Sequence, residues 1–233
     1  MTDTIDNEKK PDLESIAYEQ MKMAIVQGLY PPGFQIVEEM IAGQLGMSRS
    51  PVRIAIKRLQ AEGFLEKRAN RRMYVTFADS KRTLDALFVR KALEGVAAYQ
   101  AAVNRSEEMV ADICRLLKEM EQWRHDGDTF RLYQMSVDIH RLIYAASNNP
   151  QLERIGINAL DQESVFSYRS LVMDHGRILN AYSEHAAIAQ AIIDQKPELA
   201  ETRAREHIDQ LIRRIQEVPR EEGNPLRLTL DGR

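Results

Sequence analysis

The chain has 233 residues, of which 44% are hydrophobic and 29% are charged, and its formal net charge is −3; this composition is typical of a globular protein with one or two domains. No apolar run approaches the roughly 20 residues that a membrane span needs, and the polar start MTDTIDNEKKPDLES is unlike a signal or transit peptide. The single cysteine, Cys114, excludes an internal disulfide, so we expect a cytoplasmic protein.

The first third of the chain is predicted to combine short helices with two short strands. Residues 1–11 are polar, and we expect them to be disordered. A period of 3.6 residues in the apolar side chains predicts the first helix, and glycine, proline and capping serines mark the ends of the helices that follow. The predicted helices cover residues 11–27, 37–45 and, with a cap at Ser48 or Ser50, the stretch up to residue 61, while the predicted strands cover residues 64–66 and 73–76.

From residue 79 onward the pattern is helical throughout. Turn or capping residues interrupt the 3.6-residue period and predict six helices, at residues 81–103, 106–125, 128–146, 150–173, 176–195 and 197–217. We therefore expect a mostly α protein with two domains. The expected parts are a helix–turn–helix domain with a β-hairpin at residues 12–78, an all-α bundle at residues 79–218 and a flexible tail at residues 219–233.

Basic side chains are concentrated between Arg49 and Arg72. This segment holds eight basic and two acidic residues in a chain of negative net charge, so we expect a partner of opposite charge. On the predicted third helix, Arg49, Arg53 and Lys57 are spaced by four and share the side opposite the apolar residues. A short helix that is packed by one face and cationic on the other fits the major groove of DNA. The alternative is a solvated cationic face without a partner.

The residues on either side of this helix support the same interpretation. Ser48 and Ser50 are small enough to let the backbone at the helix start approach phosphates. The polar tip between the two predicted strands, with Asn70, Arg71 and Arg72, would form a wing that touches the DNA backbone or the minor groove. The sequence therefore predicts a winged helix–turn–helix that binds double-stranded DNA.

The segment GLYPPG…VEEMIAGQLGMSRSPVRIAIKRLQAEGFL, Gly28 to Leu65, resembles the winged-helix domain of GntR-type bacterial transcription regulators. The motifs LGMSRSPVR and RLQAEGFL occur in register, and the resemblance extends over about residues 12–78. It implies that the operator is read by Ser48, Arg49, Ser50 and Arg53, with Asn70 and Arg71 at the wing tip.

Two positions in this segment depart from the family pattern. Glu39 stands where the family often has an arginine that contacts DNA, and a carboxylate cannot make that contact favourably. Ile54 stands where the family usually has a glutamate that could pair with Arg58, so Arg58 lacks that partner. The preferred operator sequence is therefore expected to differ from that of other members.

Three histidines lie on separate predicted helices of the bundle. His140, His185 and His207 each lie on or beside an apolar helical stripe. A single histidine in such a place is ordinarily a hydrogen-bonded core residue. Three on one bundle can instead converge on a metal, because neutral imidazole is a good ligand for zinc or nickel. The residues alone leave both interpretations open.

The segments LDALFVRKALEGVAAYQAA, HRLIYAASNNPQL and EHAAIAQAIIDQKPELAETRAREHI together resemble the FCD effector domain of the FadR subfamily, over about residues 80–218. In many members an aspartate and three histidines bind a divalent metal that helps to hold a carboxylate effector. The resemblance assigns His140, His185 and His207 to the metal. Ser136 stands where the aspartate is expected, and Asp138 is no substitute because two positions correspond to about 200° around a helix.

Ser136, Arg90 and Arg169 are the candidate effector-binding residues. An arginine that faces the pocket would suit a carboxylate effector by bidentate pairing. Arg90 also precedes Glu94 by four residues, so a structural ion pair is the alternative for it, and a solvated side chain is the alternative for Arg169. Because residue 136 offers no carboxylate, we expect the metal to keep its full positive charge and to recruit an anion.

These features predict a ligand-responsive bacterial transcription repressor that binds a pseudo-palindromic operator as a homodimer. Two copies are expected because one winged helix reads only a short half-site. One alternative is a metal-dependent hydrolase with a three-histidine zinc site, and another is an architectural DNA binder without a ligand. No convincing general base is found beside the histidines, so we do not expect an enzyme.

Overall fold

The computed structural model describes residues 12–69, 71–76, 80–123, 128–173 and 175–217, and for residues 80, 164–167, 169–173 and 175–179 it describes the backbone only. The expected disorder of residues 1–11 and the expected flexible tail at residues 219–233 lie outside the described residues. The chain divides into two compact units, one that ends at Thr76 and one beyond it.

The described part of the first unit contains three helices and a small antiparallel sheet. Its elements are α1 (Leu13–Val26), β1 (Gln35–Ile36), α2 (Glu38–Leu45), α3 (Arg49–Ala61), β2 (Leu65–Lys67) and β3 (Met73–Val75). The strand β3 lies between β1 and β2, with Gln35 opposite Tyr74 and Leu65 opposite Val75. The strand β1 is absent from the predicted elements, because two residues are too few for an alternating pattern to be visible.

Local interactions determine where these helices begin and end. The Asp12 carboxylate accepts hydrogen bonds from the backbone N–H groups of Glu14 and Ser15, at 3.1 and 3.3 Å, and so caps α1. Gly46 follows α2 with a φ of 63°, a conformation that glycine adopts without strain. Ser48 is the N-cap residue of α3, but its hydroxyl makes no capping hydrogen bond. Ser48 therefore occupies the predicted N-cap position, but its side chain does not cap the helix.

The core of the first unit lies where α1 packs against α3. On α3 the buried residues are Pro51, Val52, Ala55, Ile56 and Leu59. Because these residues recur every three to four positions, they turn one face of α3 inward and leave the opposite face to solvent. That solvent-exposed face carries the basic residues of α3.

The described part of the second unit is made of six helices, which confirms the mostly α fold class. They are α4 (Ser80–Val103), α5 (Glu107–Trp123), α6 (Thr129–Ala146), α7 (Pro150–Met173), α8 (His175–Ile193) and α9 (Pro197–Glu217). Every boundary lies within two residues of the predicted one. None of the described helices combines the length and hydropathy that crossing a membrane requires.

The helix α4 organises the second unit, because it packs against α6, α7, α8 and α9. It buries Ala97, Ala98, Ala101 and Ala102 in the core, and such small side chains let neighbouring helices approach closely. This packing brings together one face each of α6, α8 and α9. Each of these faces carries one of the three histidines.

Candidate nucleic-acid interface and metal centre

The basic face of α3 is an exposed surface. Arg49, Arg53 and Lys57 are exposed on it, and Ser48 and Ser50 are exposed at the helix start. Arg49, Arg53 and Lys57 share one side of α3, as their spacing of about one helical turn requires, and the two serines are exposed at its start.

The predicted wing lies between β2 and β3. Arg71 has a φ of 61° at the tip, and both Arg71 and Arg72 are exposed. The Arg72 Nη1 donates a long hydrogen bond of 3.4 Å to the Gln35 amide oxygen on β1. Asn70, the third residue predicted for the tip, lies outside the described residues.

Two carboxylates of α2 pair with the arginines of α3. Glu39 accepts a short hydrogen bond from Arg49. Glu38 accepts from Arg53 Nε at 3.0 Å and from Arg53 Nη2 at 2.9 Å, and this bond raises the pKa of Arg53. Sequence reasoning noted Glu39 as a departure from the family but did not predict either ion pair. The sequence feature that could have indicated these ion pairs is the presence of glutamates on one predicted short helix and of arginines on the next.

Arg58 also has a carboxylate partner, although Ile54 cannot provide one. Glu62, one turn further along, accepts from Arg58 Nε at 3.0 Å. The Arg58 guanidinium also lies 3.6 Å from the centre of the Tyr18 ring. Arg58 thus lacks the partner that the family has at position 54, and it pairs instead with a carboxylate one turn toward the C-terminus.

The three predicted histidines meet in the interior of the helical unit. His140 of α6, His185 of α8 and His207 of α9 are all buried, and one ring nitrogen from each lies within 4.8 Å of the others. His140 Nε2 and His185 Nε2 are 3.1 Å apart. Ser136 Oγ lies 3.3 Å from His185 Nε2, so the residue that replaces the family aspartate faces the same centre.

The outer nitrogens of two of these rings meet carboxylates. Glu94 Oε1 lies 2.7 Å from His140 Nδ1, and Glu184 Oε2 lies 2.6 Å from His207 Nδ1. His207 Nδ1 and Glu184 form a hydrogen bond in which Nδ1–H can donate to the carboxylate and leave the lone pair of Nε2 for the centre, as in most metal-ligating histidines. His140 Nδ1 and Glu94 Oε1 are close, but neither atom makes a hydrogen bond among the described residues. Sequence reasoning missed both roles. Glu184 directly precedes His185, but Glu94 reaches His140 only through the tertiary fold.

Burial favours the neutral form of the His140 and His185 rings. Desolvation, with a further contribution from Arg90, holds the pKa of His140 well below its usual range. Desolvation, followed by the neighbouring rings of His207 and His140, does the same to the pKa of His185. Neutral imidazoles are the form that binds metal ions.

Arg90 lies beside the cluster in a buried ion network. Its Nε donates to Glu94 at 2.7 Å and its Nη1 donates to Glu163 at 2.6 Å, while its Nη2 is buried with no hydrogen-bond partner among the described residues. The predicted ion pair between Arg90 and Glu94 is therefore present, and Arg90 Nη2 remains without a hydrogen bond to the described residues. The side chain of Arg169, the other candidate arginine, lies outside the described residues.

These groups line one small cavity of about 30 Å³, whose walls include Arg90, Tyr133, Ser136, His140, Glu163 and His207. The carboxylates change the expected charge of this site. We expected a metal ion here to keep its full charge, but Glu94 and Glu184 place negative charge behind two of its ligands. The donor set of three imidazole nitrogens and one hydroxyl, with two carboxylates nearby, fits a divalent ion.

Comparison with known proteins agrees with both halves of this description. Residues 85–210 match the FCD domain, and residues 13–75 match the model described as bacterial regulatory proteins, gntR family. The probable D-xylose utilization operon transcriptional repressor of Paenarthrobacter nicotinovorans is 32% identical over 186 residues, which cover 80% of this chain and 81% of the relative. The galactonate operon transcriptional repressor of Escherichia coli (strain K12) is 24% identical over 214 residues, which cover 83% of this chain and 93% of the relative.

A solved structure supports the fold in particular. Escherichia coli McbR/YncC superposes with a TM-score of 0.77 at 22% sequence identity, covering 89% of this chain and 98% of that chain. A winged helix–turn–helix followed by an all-helical effector domain defines a bacterial DNA-binding transcription regulator, not an enzyme. The chain belongs to the GntR family and, through its FCD domain, to the FadR-like branch, so the predicted family is confirmed and the hydrolase hypothesis is wrong.

Proposed function

We propose that this regulator represses transcription as a homodimer on a pseudo-palindromic operator and releases the DNA when a small organic carboxylate binds beside a metal ion. The observation that carries the proposal is the buried cluster of His140, His185 and His207 next to Arg90. It combines candidate metal ligands with a cation suited to a carboxylate in a single cavity.

His140, His185 and His207 are the proposed ligands of the ion, and imidazole nitrogens suit zinc or nickel. The Glu184 carboxylate supports this assignment, because its hydrogen bond with His207 fixes the tautomer and the orientation of that ring. Glu94 places a second carboxylate 2.7 Å from His140 Nδ1. When bound, the ion would supply a positive charge that attracts an anionic effector. Ser136 would contribute a hydroxyl at the position beside His185.

Arg90 is the proposed anchor of the effector carboxylate. Its Nη2 is buried and unused by the described residues, so an acceptor oxygen there would remove the cost of leaving a charged donor without a hydrogen bond. Arg169 is a second candidate for this role. The cavity has about the volume of one water molecule, so an organic acid requires the lining helices to move apart. A ligand that binds only the opened arrangement shifts the population toward it.

DNA contacts are proposed for one side of the first unit. The contacting residues are Ser48, Arg49, Ser50, Arg53 and Lys57 on α3 and Asn70, Arg71 and Arg72 at the wing. The exposure of the basic face of α3 supports this assignment, since a recognition helix must present its side chains to the major groove. Repression is proposed because relatives from two bacteria are named operon repressors, and a regulator that binds operators acts in the bacterial cytoplasm.

A homodimer is proposed because α4 carries an apolar stripe on its exposed side. Val89, Val96 and Val103 are spaced by seven residues and are 48%, 40% and 57% exposed. Residues seven positions apart lie on the same face of a helix, two turns from each other. Exposed apolar stripes of this kind mark protein–protein contacts, and a two-fold operator requires two copies of the winged helix.

The metal and the effector are tested together. The metal content of the purified protein is measured by elemental analysis, and calorimetry with a panel of small carboxylates follows for the metal-loaded wild type, His185→Ala and Ser136→Asp. We expect His185→Ala to lower metal affinity on the order of 100-fold and to abolish carboxylate binding. Ser136→Asp should tighten metal binding and weaken carboxylate binding, because it supplies a negative charge from within the protein.

Thermal unfolding of each variant shows whether the helical unit remains folded, and Ser136→Asp, which keeps all three histidines, serves as the matched comparison for His185→Ala. Equal carboxylate affinity in the three proteins would mean that the histidines are core residues and that the effector binds elsewhere. Operator binding that no carboxylate changes, with or without metal, would favour the architectural DNA binder instead.

A further inference from the structure

The stability of the fold does not explain the two ion pairs between α2 and α3. The side chains of Arg49 and Glu39 are 58% and 73% exposed, and those of Arg53 and Glu38 are 57% and 38% exposed. Exposed ion pairs of this kind contribute only about 0–1 kcal/mol to stability. The pairs therefore contribute little to the packing of α2 against α3.

Their position instead affects how the arginines meet DNA. An exposed arginine binds phosphates of any sequence, and this sequence-independent attraction supplies most of non-specific binding. Each of the two arginines here already has a carboxylate bound to its guanidinium. A phosphate that approaches such a pair must displace the carboxylate and is also repelled by it.

A guanine edge differs from a phosphate in this respect. Its O6 and N7 atoms are uncharged acceptors, so a nearby carboxylate does not repel them. An arginine that keeps one side of its guanidinium on a glutamate still has donors for the base. A glutamate partner therefore penalises phosphate contacts more than base contacts.

We propose that Glu38 and Glu39 determine specificity by suppressing the non-specific attachment of Arg53 and Arg49 to phosphates. This proposal rests on the proposed function of α3 as the recognition helix. The carboxylates lower the affinity for every DNA, but they lower it most for sequences without the correctly placed guanines. The ratio of operator to non-specific affinity is the quantity that they raise, and it is the quantity that decides occupancy of a site in a genome.

The test compares the full-length protein with the double variant Glu38→Gln/Glu39→Gln. The operator is first obtained by selecting bound duplexes from a random-sequence library with the wild-type protein. Affinities for the operator and for an unrelated duplex of equal length are then measured by fluorescence anisotropy at several salt concentrations. We expect the variant to bind the unrelated duplex about tenfold more tightly, with a salt dependence steeper by up to about two phosphates. Operator affinity should rise by a smaller factor, so the specificity ratio falls.

The control is the double variant Glu14→Gln/Glu19→Gln, which removes the same charge from exposed positions of α1. It should raise both affinities by one small common factor and leave the ratio unchanged. An equal factor for both duplexes in Glu38→Gln/Glu39→Gln would overturn the proposal, since the effect would then be net charge alone. Weaker operator binding with unchanged non-specific binding would also overturn it, because the glutamates would then only position the arginines. Failure of the selection itself, with no preferred duplex, would instead contradict the function proposed for α3.

Discussion

Two carboxylates lie beside the outer nitrogens of histidines in the proposed metal centre. Glu184 forms a hydrogen bond of 2.6 Å with His207 Nδ1, and Glu94 lies 2.7 Å from His140 Nδ1 without forming one. A carboxylate in that position fixes which nitrogen carries the proton and makes the opposite nitrogen a stronger donor to a metal. His185 has no such partner among the described residues, because its Nδ1 is buried and makes no hydrogen bond there.

Glu184→Gln should therefore weaken metal binding without removing any ligand. We expect a loss of about tenfold in affinity for zinc or nickel, because the amide carries no charge to strengthen the imidazole. The measurement is a competition titration against a chelator of known affinity. Glu206→Gln on α9 is the matched control, since Glu206 is exposed and pairs with Arg203 at 2.9 Å. Equal metal affinity in both variants would show that Glu184 does not support a ligand.

At the scale of elements, periodicity predicted the helices because each of them buries one apolar face. It could not predict which helices meet, since that depends on contacts between residues far apart in the chain. The histidines were recognisable because the family pattern marks them. Their supporting carboxylates, and the two glutamates that hold the arginines of α3, were not recognisable, because any of these residues could equally have been a solvated surface charge. The strand β1 was not predicted because its two residues are too few to show an alternating pattern.

The packing of α6 against α7 depends on the absence of a side chain at Gly156. A Cβ there would overlap the ring of Tyr144, which is fully buried. Gly156→Ala should therefore lower the free energy of unfolding by about 1–3 kcal/mol. The single tryptophan, Trp123, lies on α5 in the same unit, so its fluorescence during urea denaturation measures the change.

Gly95→Ala provides the comparison for this substitution. A Cβ at residue 95 would approach Arg205 Nε at 2.7 Å, but the Arg205 side chain is long and partly exposed and can move aside. The preference of alanine over glycine in a helix, about 0.5–1 kcal/mol, then offsets the remaining cost. A loss of stability as large for Gly95→Ala as for Gly156→Ala would contradict the assignment of the cost to the Tyr144 ring.

At the scale of the whole molecule, the proposed dimer and the proposed operator depend on each other. Each copy supplies one recognition helix, so a protein that cannot dimerise has only a half-site affinity. The apolar stripe of α4 is the proposed contact, and Val96 lies at its centre between Val89 and Val103.

Val96→Glu should weaken dimerisation by on the order of 30-fold or more, because it places a charge in an apolar contact. Light scattering at micromolar concentration measures the mass, and operator affinity should fall in parallel. Leu29→Glu is the control, since Leu29 is 69% exposed and belongs to the first unit and not to α4. A wild-type protein that is monomeric at these concentrations would contradict the dimer.

The burial of the three histidines also has a kinetic consequence. The three residues are at most 4% exposed, so their inward nitrogens are largely shielded from solvent. If the proposed metal and effector bind there, their exchange requires the lining helices to separate, and motions of that kind take microseconds to seconds. On the proposed function, the rate at which the regulator responds to its effector would be set by how often the helical unit opens and not by diffusion. A unit that rarely opens would respond slowly, and it would not respond to changes in effector concentration that end before it next opens.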